Sequence, residues 1–195
     1  MKLIPRRISG VYDVGTEAFQ DQRGFMARAF DADLFEAQGI GVRWIQHNVS
    51  YTAKRGTLRG LHVQLPPFSE AKLIWPMAGS MCWVTVDLRQ GSATFGSWES
   101  ATLEARAQTG LFVRAGFGHG CVSLSDEVAL SILSDNRFSH PHGVGIRWDD
   151  PELAIDWPLG GRPPLVSPAH AAYPPFRDFV ARIGGIAIAP VGESR

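Results

Sequence analysis

The sequence predicts an all-β fold, a sandwich or a barrel of short strands with helix in the minority, and three observations predict it. The 21 glycines and 13 prolines are scattered along the 195 residues rather than clustered, so turns punctuate the whole chain. Its 11 Phe and 6 Trp sit with β-branched residues in short apolar runs, which suits a pleated, half-buried surface. About ten such runs follow one another at intervals of roughly 8–12 residues. The length suits one domain over residues 1–195, with the tail from about residue 184 expected to fray.

Taken in order, residues 8–12 read as a first short strand. The stretch 19–24 reads as a turn in which Gly24 takes a positive φ, and 25–30 resume an extended pattern. Asp31 offers an N-cap to a short helix over 32–38, with Gly39 in the position just past its end. Residues 44–51 alternate apolar and polar side chains as a half-buried strand does, so Gln46, His47 and Asn48 cannot all face one side. Residues 57–64 form the next strand, Pro66, Pro67 and Phe68 force a loop, and 71–75 return to the sheet. Ala78-Gly79-Ser80 is a turn. The run 81–89 is long and apolar enough to lie between two layers, and its β-branched residues decide for strand. Strands over 98–103 and 110–114 precede a Gly-rich turn over 115–120 that holds His119, and 122–124 and 128–133 complete the β region. Proline at 151, 158, 163, 164, 174 and 175 leaves the tail little room for ladders, and 178–183 read as a terminal helical turn.

Nineteen basic residues balance nineteen acidic ones, which argues against a nucleic-acid or membrane-surface partner recognised by a field of one sign. No apolar run approaches the ~18 residues of a membrane span, and the N-terminal MKLIPRRISG puts Pro and Arg where a signal peptide needs its apolar core. A cytoplasmic protein is the expectation. Cys82 and Cys121 lack CxxC spacing and read as buried free thiols. No nucleophile elbow, P-loop or dinucleotide-binding glycine turn is present in the sequence.

Chemistry concentrates in residues 56–72, where Arg59, His62, Gln64 and Lys72 lie among strand-formers and turn-formers. Strict alternation would put Arg59, Leu61 and Val63 on one face and Gly60, His62 and Gln64 on the other. Cations beside a histidine lower its pKa by like-charge repulsion and leave a neutral imidazole able to accept a proton. A metal site fits poorly: the strand offers His62-Val63-Gln64 instead of His-x-His, and Lys72 stands where a carboxylate would be needed. No metal is therefore expected. Gln46 with Asn48, and His119, are further polar candidates. Trp75, Trp83 and Phe138 are candidates to stack on a base or sugar.

The chain resembles the dTDP-4-dehydrorhamnose 3,5-epimerases and their deoxysugar relatives. The residues that carry the resemblance are Phe19-x-Asp21-x-Arg23-Gly24, Gln46-x-Asn48-x-Ser50, Leu58-Arg59-Gly60-Leu61-His62 with Gln64, Ala71-Lys72-Leu73, Val86-Asp87-Leu88-Arg89 with Thr94-Phe95-Gly96, Gly116-Phe117-x-His119-Gly120, Leu124-Ser125-Asp126, and Ile146-Arg147-Trp148-Asp149-Asp150-Pro151 with Ile155-x-Trp157-Pro158. They run in order over roughly residues 1–170. The resemblance implies an all-β cupin-type double-stranded β-helix, or jelly roll, with short helices, working as a homodimer without metal or organic cofactor on a nucleoside-diphosphate 4-keto-6-deoxy sugar. It implies that His62 removes a proton beside the ketone and that Lys72 stabilises the enolate oxygen. It further implies that Arg59 and Arg23 grip the diphosphate, with the partner subunit as a second source of the latter, and that Phe19, Gln46, Asn48 and His119 line the site.

The sequence departs from that pattern at four places. Ile132 stands where the family carries a tyrosine acid. The aspartate that orients the catalytic histidine falls at or near Ala169 and His170, and Trp83 replaces an aspartate in the strand after Gly79. Arg28 stands where an acid commonly meets the nucleotide base, which implies an altered nucleotide preference. The expectation is an epimerase acting at C3 and C5 or at C3 alone. The alternative is a catalytically altered cupin that binds sugar nucleotides, or that uses the enolate for a related isomerisation or elimination.

Overall fold

The computed structural model of the chain describes residues 1–188. Fourteen strands are formed: β1 (Lys2–Pro5), β2 (Val11–Gly15), β3 (Phe19–Asp21), β4 (Gly24–Met26), β5 (Gln46–Thr52), β6 (Thr57–Gln64), β7 (Lys72–Ala78), β8 (Ser80–Asp87), β9 (Trp98–Glu104), β10 (Thr109–Val113), β11 (Phe117–Ser123), β12 (Val128–Ser134), β13 (Gly143–Gly145) and β14 (Leu165–Val166). Helices are short: α1 (Ala32–Ala37), α2 (Pro168–Ala171) and α3 (Phe176–Ile183), with one 3-10 turn at His140–His142. The first sheet has the order β1-β2-β10-β7-β12-β5 and the second the order β13-β6-β11-β8-β9, with β14 also pairing β6. β3 and β4 form a separate hairpin. This is the jelly roll anticipated from the sequence.

Alternation along the strands decides the layering. Ile74, Leu111, Val113 and Leu130 of the first sheet meet Met81, Trp83, Ala101, Leu103 and Phe117 of the second in one buried cluster between them. The opposite face of the second sheet (Leu58, Val63, Cys82, Val84, Val86) is covered by Ile146, Leu153, Trp157, Phe176 and Phe179 from the C-terminal segment. The outer face of the first sheet is covered by α1. That helix has only six residues, too few to hold by propensity alone. Asp31 caps it by accepting from the Leu34 N–H, and Phe35 packs edge-on to Phe112 at 5.2 Å. Burying a side chain of that size contributes on the order of 1.5–3 kcal/mol, more than the cap.

Several boundaries differ from the sequence expectation. Residues 8–12 are not one strand: Gly10 at φ +101 turns the chain, Ile8 is buried in the turn, and β1 pairs antiparallel with β2. Residues 19–24 are not all turn: 19–21 form β3, which pairs antiparallel with β4, and only residues 22–23 make the turn between them. His119 lies inside β11 rather than in a turn. The glycines beside it serve close approach: a Cβ on Gly120 would sit 2.7 Å from Leu61 and 2.8 Å from Trp157. β13 forms ahead of the proline-rich tail, the tail still supplies β14 and α2, and α3 begins at Phe176, ahead of the expected 178–183. The tail expected to fray from about residue 184 is anchored at Ile186, which is buried and donates its N–H to Leu88 O at 2.7 Å. Residues 189–195 lie outside the described residues. Among the described residues no helix is long and apolar enough to cross a membrane.

Candidate active site

Strand β6 does not keep strict alternation. Against β11, His62 pairs His119 and Arg59 pairs Cys121, so three steps along β6 match two along β11. The extra residue is a β-bulge at Gly60 and Leu61, and it rotates Arg59 onto the same face as His62 and Gln64 instead of the opposite one. Gly60 is required there, because its φ is +111 and a Cβ would lie 2.5 Å from His119 O.

That face opens into a cavity of about 610 Å³ between the two sheets. The second sheet contributes Arg59, His62, Trp83, His119 and Cys121, and the first contributes Ser50, Lys72, Leu130 and Ile132. Phe138, His140, Ala169 and Tyr173 come from connecting segments and complete the lining. Of the residues singled out from sequence, Arg59, His62, Gln64, Lys72, Trp83, His119 and Phe138 are therefore brought together.

His62 is reachable from solvent at the cavity mouth, yet its ring is crowded by packed atoms that strip most of its hydration. This desolvation first, and then His170, Lys72 and Arg59, lower its pKa to about 4. The like-charge cause inferred from the sequence is real but ranks behind burial. The ring is neutral at physiological pH and able to take a proton. Across the cavity, Lys72 Nζ is held 2.7 Å from Glu70 Oε1. Glu70 compensates the cation and limits where the ammonium can swing.

Sequence reasoning missed the groups that surround these two, since they lie in loops or in the tail with no periodic signal. His62 Nε2 is 2.8 Å from His170 Nε2, at the position where an orienting carboxylate was expected. Tyr173 stacks on His170 with centroids 5.2 Å apart and stands edge-on to His62 at 5.8 Å. Gly145 makes room for its ring, which a Cβ there would strike. Burial raises the Tyr173 pKa, so the phenol stays protonated. Behind Lys72, burial pushes the Asp135 carboxyl up to about 6 while it accepts the Ala71 N–H at 2.6 Å.

The remaining candidates, and the Gln64 amide at the cavity wall, serve other ends. Gln64 spends its amide on structure: it donates to Phe68 O and Arg137 O and accepts from the Ser139 N–H at 2.6 Å. Gln46 accepts from the Phe138 N–H and so steadies that aromatic without lining the cavity. Asn48 shares a strand face with Gln46 and Ser50 and pairs in register with Ile132, but it is solvent-exposed. Phe19 and Arg23 sit on the β3–β4 hairpin, away from the cavity lining, where Arg23 is tied to Asp21 with Nε 3.0 Å from Oδ2. Arg28 is tied to Asp31. Trp75 is not a stacking platform, because it is buried in the core under α1 and donates to Ala29 O at 2.7 Å. Cys82 and Cys121 are free and buried, with the Cys121 thiol raised to about 12 by desolvation. Among the described residues no group of three or more His, Cys, Asp or Glu is placed to hold a metal ion.

A family model described as dTDP-4-dehydrorhamnose 3,5-epimerase matches residues 5–178. The chain is 38% identical over 168 residues to the dTDP-4-dehydrorhamnose 3,5-epimerase of Shigella flexneri, spanning 86% of this chain and 91% of that one. It is 39% identical over 170 residues to the dTDP-4-dehydrorhamnose 3-epimerase of Streptomyces niveus, spanning 86% and 80%. The crystal structure of the dTDP-6-deoxy-D-glucose-3,5-epimerase of Legionella pneumophila, in complex with dTDP-4-keto-L-rhamnose, superposes with a TM-score of 0.89 at 31% identity over 97% of this chain and 99% of that one. A cavity with a neutral histidine facing a lysine, set in a jelly roll and matched over most of its length in this way, places the chain in the dTDP-4-dehydrorhamnose 3,5-epimerase family.

Proposed function

We propose that this chain is an isomerase that epimerises a nucleoside-diphosphate 4-keto-6-deoxy sugar, at C3 and C5 or at C3 alone, by removing and returning a proton beside the ketone. One observation carries the reading: His62, neutral, and Lys72, cationic, reach one cavity from opposite sheets. The substrate ketone acidifies the neighbouring C–H. His62 takes that proton, the C–H electron pair becomes the C=C bond of the enolate, and the carbonyl electrons move onto oxygen beside Lys72. Return of a proton to the other face of the same carbon restores the ketone with inverted configuration. Ile132, on the first sheet, is the residue we read at the family's acid position, and its side chain supplies no proton. Tyr173 stands beside His62 and so on the side from which the proton leaves. Solvent at the mouth is then the source for the opposite face. Arg59 takes the diphosphate and Phe138 stacks on the base.

We further propose that a second copy of the chain completes the site. The β3–β4 hairpin exposes Phe19 at 79%, Phe25 at 57% and Met26 at 71% beside Arg23, and edge strand β5 exposes Val49 at 76%. A monomer gains nothing from that apolar surface, whereas a dimer would cover it and carry Phe19 and Arg23 toward a cavity.

Incubation with a dTDP-4-keto-6-deoxy hexose in deuterated water, followed by proton NMR, tests the reaction. Deuterium at a carbon adjacent to the ketone is expected, and its loss in His62→Ala. No deuterium at either carbon with the native chain overturns the reading.

A further inference from the structure

We propose that Trp83 is a positioning residue that fixes His119 as a neutral imidazole carrying its hydrogen on Nε2, so that His119 donates a hydrogen bond to an oxygen of the substrate on the Lys72 side of the reaction. This rests on the ketosugar reading given above. Trp83 Nε1 lies 3.3 Å from His119 Nδ1, both residues are 6% exposed, and the two rings are 5.9 Å apart. An indole nitrogen is a donor only, so His119 Nδ1 accepts and holds no hydrogen. The hydrogen of the neutral ring is therefore on Nε2. That nitrogen is buried, has no partner among the described residues, and belongs to a residue that lines the cavity next to its register partner His62.

A buried N–H without a partner costs about 1–3 kcal/mol, and a ligand oxygen relieves that cost. The groups facing His119 favour the same state. His62 from β6, Lys72 from β7 across the cavity and the neutral thiol of Cys121 on its own strand supply no negative charge, and Glu70 is engaged by Lys72. A carboxylate at position 83 would do the reverse: it would draw the hydrogen to Nδ1 and leave Nε2 as an acceptor. The indole thus sets the polarity of this wall of the cavity. Since the donor points where negative charge develops, it acts on the enolate more than on the bound ketone.

Nitrogen NMR of the uniformly 15N-labelled native chain without substrate reads the tautomer directly. Nδ1 of His119 is expected in the unprotonated, pyridine-type range and Nε2 in the protonated, pyrrole-type range throughout pH 6–8. A hydrogen on Nδ1 overturns the proposal even if the chain epimerises ketosugars, whereas failure of turnover with the expected tautomer overturns only the ketosugar reading. Two variants read the consequence. Trp83→Phe keeps an aromatic in the core and is expected to let the ring sample both tautomers, with kcat down several-fold and KM little changed. Trp83→Asp is expected to move the hydrogen to Nδ1 and to lower kcat by about 10²-fold, the scale of losing one preorganised donor. A Trp83→Asp enzyme with Nδ1 protonated and kcat equal to or above that of the native chain overturns the proposal.

Discussion

The Nε2 of His62 lies 2.8 Å from the Nε2 of His170, so the assigned base is tethered by a second imidazole where a carboxylate was expected. One of the two nitrogens donates and the other accepts. A carboxylate partner would stabilise the imidazolium and raise the pKa of the base. An imidazole partner orients the ring without that charge, and His62 titrates at about 4. The base keeps its neutral form well into acid, at the cost of a weaker pull on the proton.

That difference predicts a displaced pH profile. The base form of His62 survives down to about pH 4, so the acid limb of kcat/KM in the native chain is expected there. In His170→Asp the limb is expected to move up by roughly one to two units, toward the ordinary histidine value of ~6.5. At pH 5 the native chain should retain most of its pH 8 rate while the variant has lost about half of its own or more. Profiles whose acid limbs coincide would remove His170 from the control of the base.

The same depressed histidines predict acid sensitivity of the fold. His62 and His119 both have pKa values lowered from 6.5, His119 by burial first and then by Lys72 and His62. Above the unfolded value neither state binds the proton, and stability is unaffected. Between about pH 6.5 and 4 the unfolded chain binds protons that the native chain refuses, so stability falls as pH falls through that window. Urea midpoints measured from pH 7.5 to 4.5 are expected to drop, and to drop less steeply in His62→Gln, which cannot titrate.

The Gly60 bulge predicts a localised failure. With φ +111 and its absent Cβ only 2.5 Å from His119 O, Gly60→Ala is expected to cost at least about 2 kcal/mol of stability and to part β6 from β11. Because the bulge is what puts Arg59 beside His62, both diphosphate affinity and turnover should fall together. Chemical denaturation and dTDP titration check the two effects.

Much of this was legible in the sequence, and the misses share a cause. Strand β6 was read at its observed bounds over residues 57–64, because Val, Leu and Thr there satisfy both propensity and pattern. Strict alternation gives Arg59 the wrong facing, because period-2 alternation holds only while two strands stay in step, and the bulge takes them out of step at Gly60. The glycines around His119 predict a turn, yet Gly118 and Gly120 serve packing against Leu88, Leu61 and Trp157. Glu70, His170 and Tyr173 carry no such pattern at all. Glu70 and Tyr173 reach the cavity, and His170 reaches His62, through tertiary folding of loops and tail, and only the family's motif points near one of them, at Ala169 and His170.

Lys72 and Glu70 separate charge from placement. Lys72→Met keeps the length of the stem and removes the ammonium, and kcat is expected to fall about 10²–10³-fold, as for loss of an electrostatic stabiliser of a developing oxyanion. Glu70→Gln leaves the ammonium in place but frees it from its 2.7 Å partner, so a loss of about tenfold, mostly in kcat, is expected. Steady-state kinetics with both variants check the ordering. A larger loss in Glu70→Gln than in Lys72→Met would mean that the carboxylate, not the ammonium, faces the substrate.

Ile132→Tyr tests the proposal that Ile132 holds the place of an acid. Ile132 lines the cavity from the first sheet, between Asn48 and Ile74 in register and across from the His62 strand. A phenol there would meet a space of about 610 Å³ rather than packed core, so the larger side chain should be tolerated. On the proposed mechanism solvent supplies the far face, and the native chain is expected to exchange the α-proton faster than it inverts the centre, because protonated His62 can return hydrogen to the side it came from. A tyrosine placed opposite His62 supplies an aligned proton, and general acid catalysis is worth about 10²–10⁴-fold. The ratio of inverted product to retained, deuterium-labelled substrate in deuterated water is therefore expected to rise by at least about tenfold in Ile132→Tyr, with the exchange rate itself little changed because His62 and Lys72 are untouched. An unchanged ratio would show that proton return from the far face does not limit inversion in this chain.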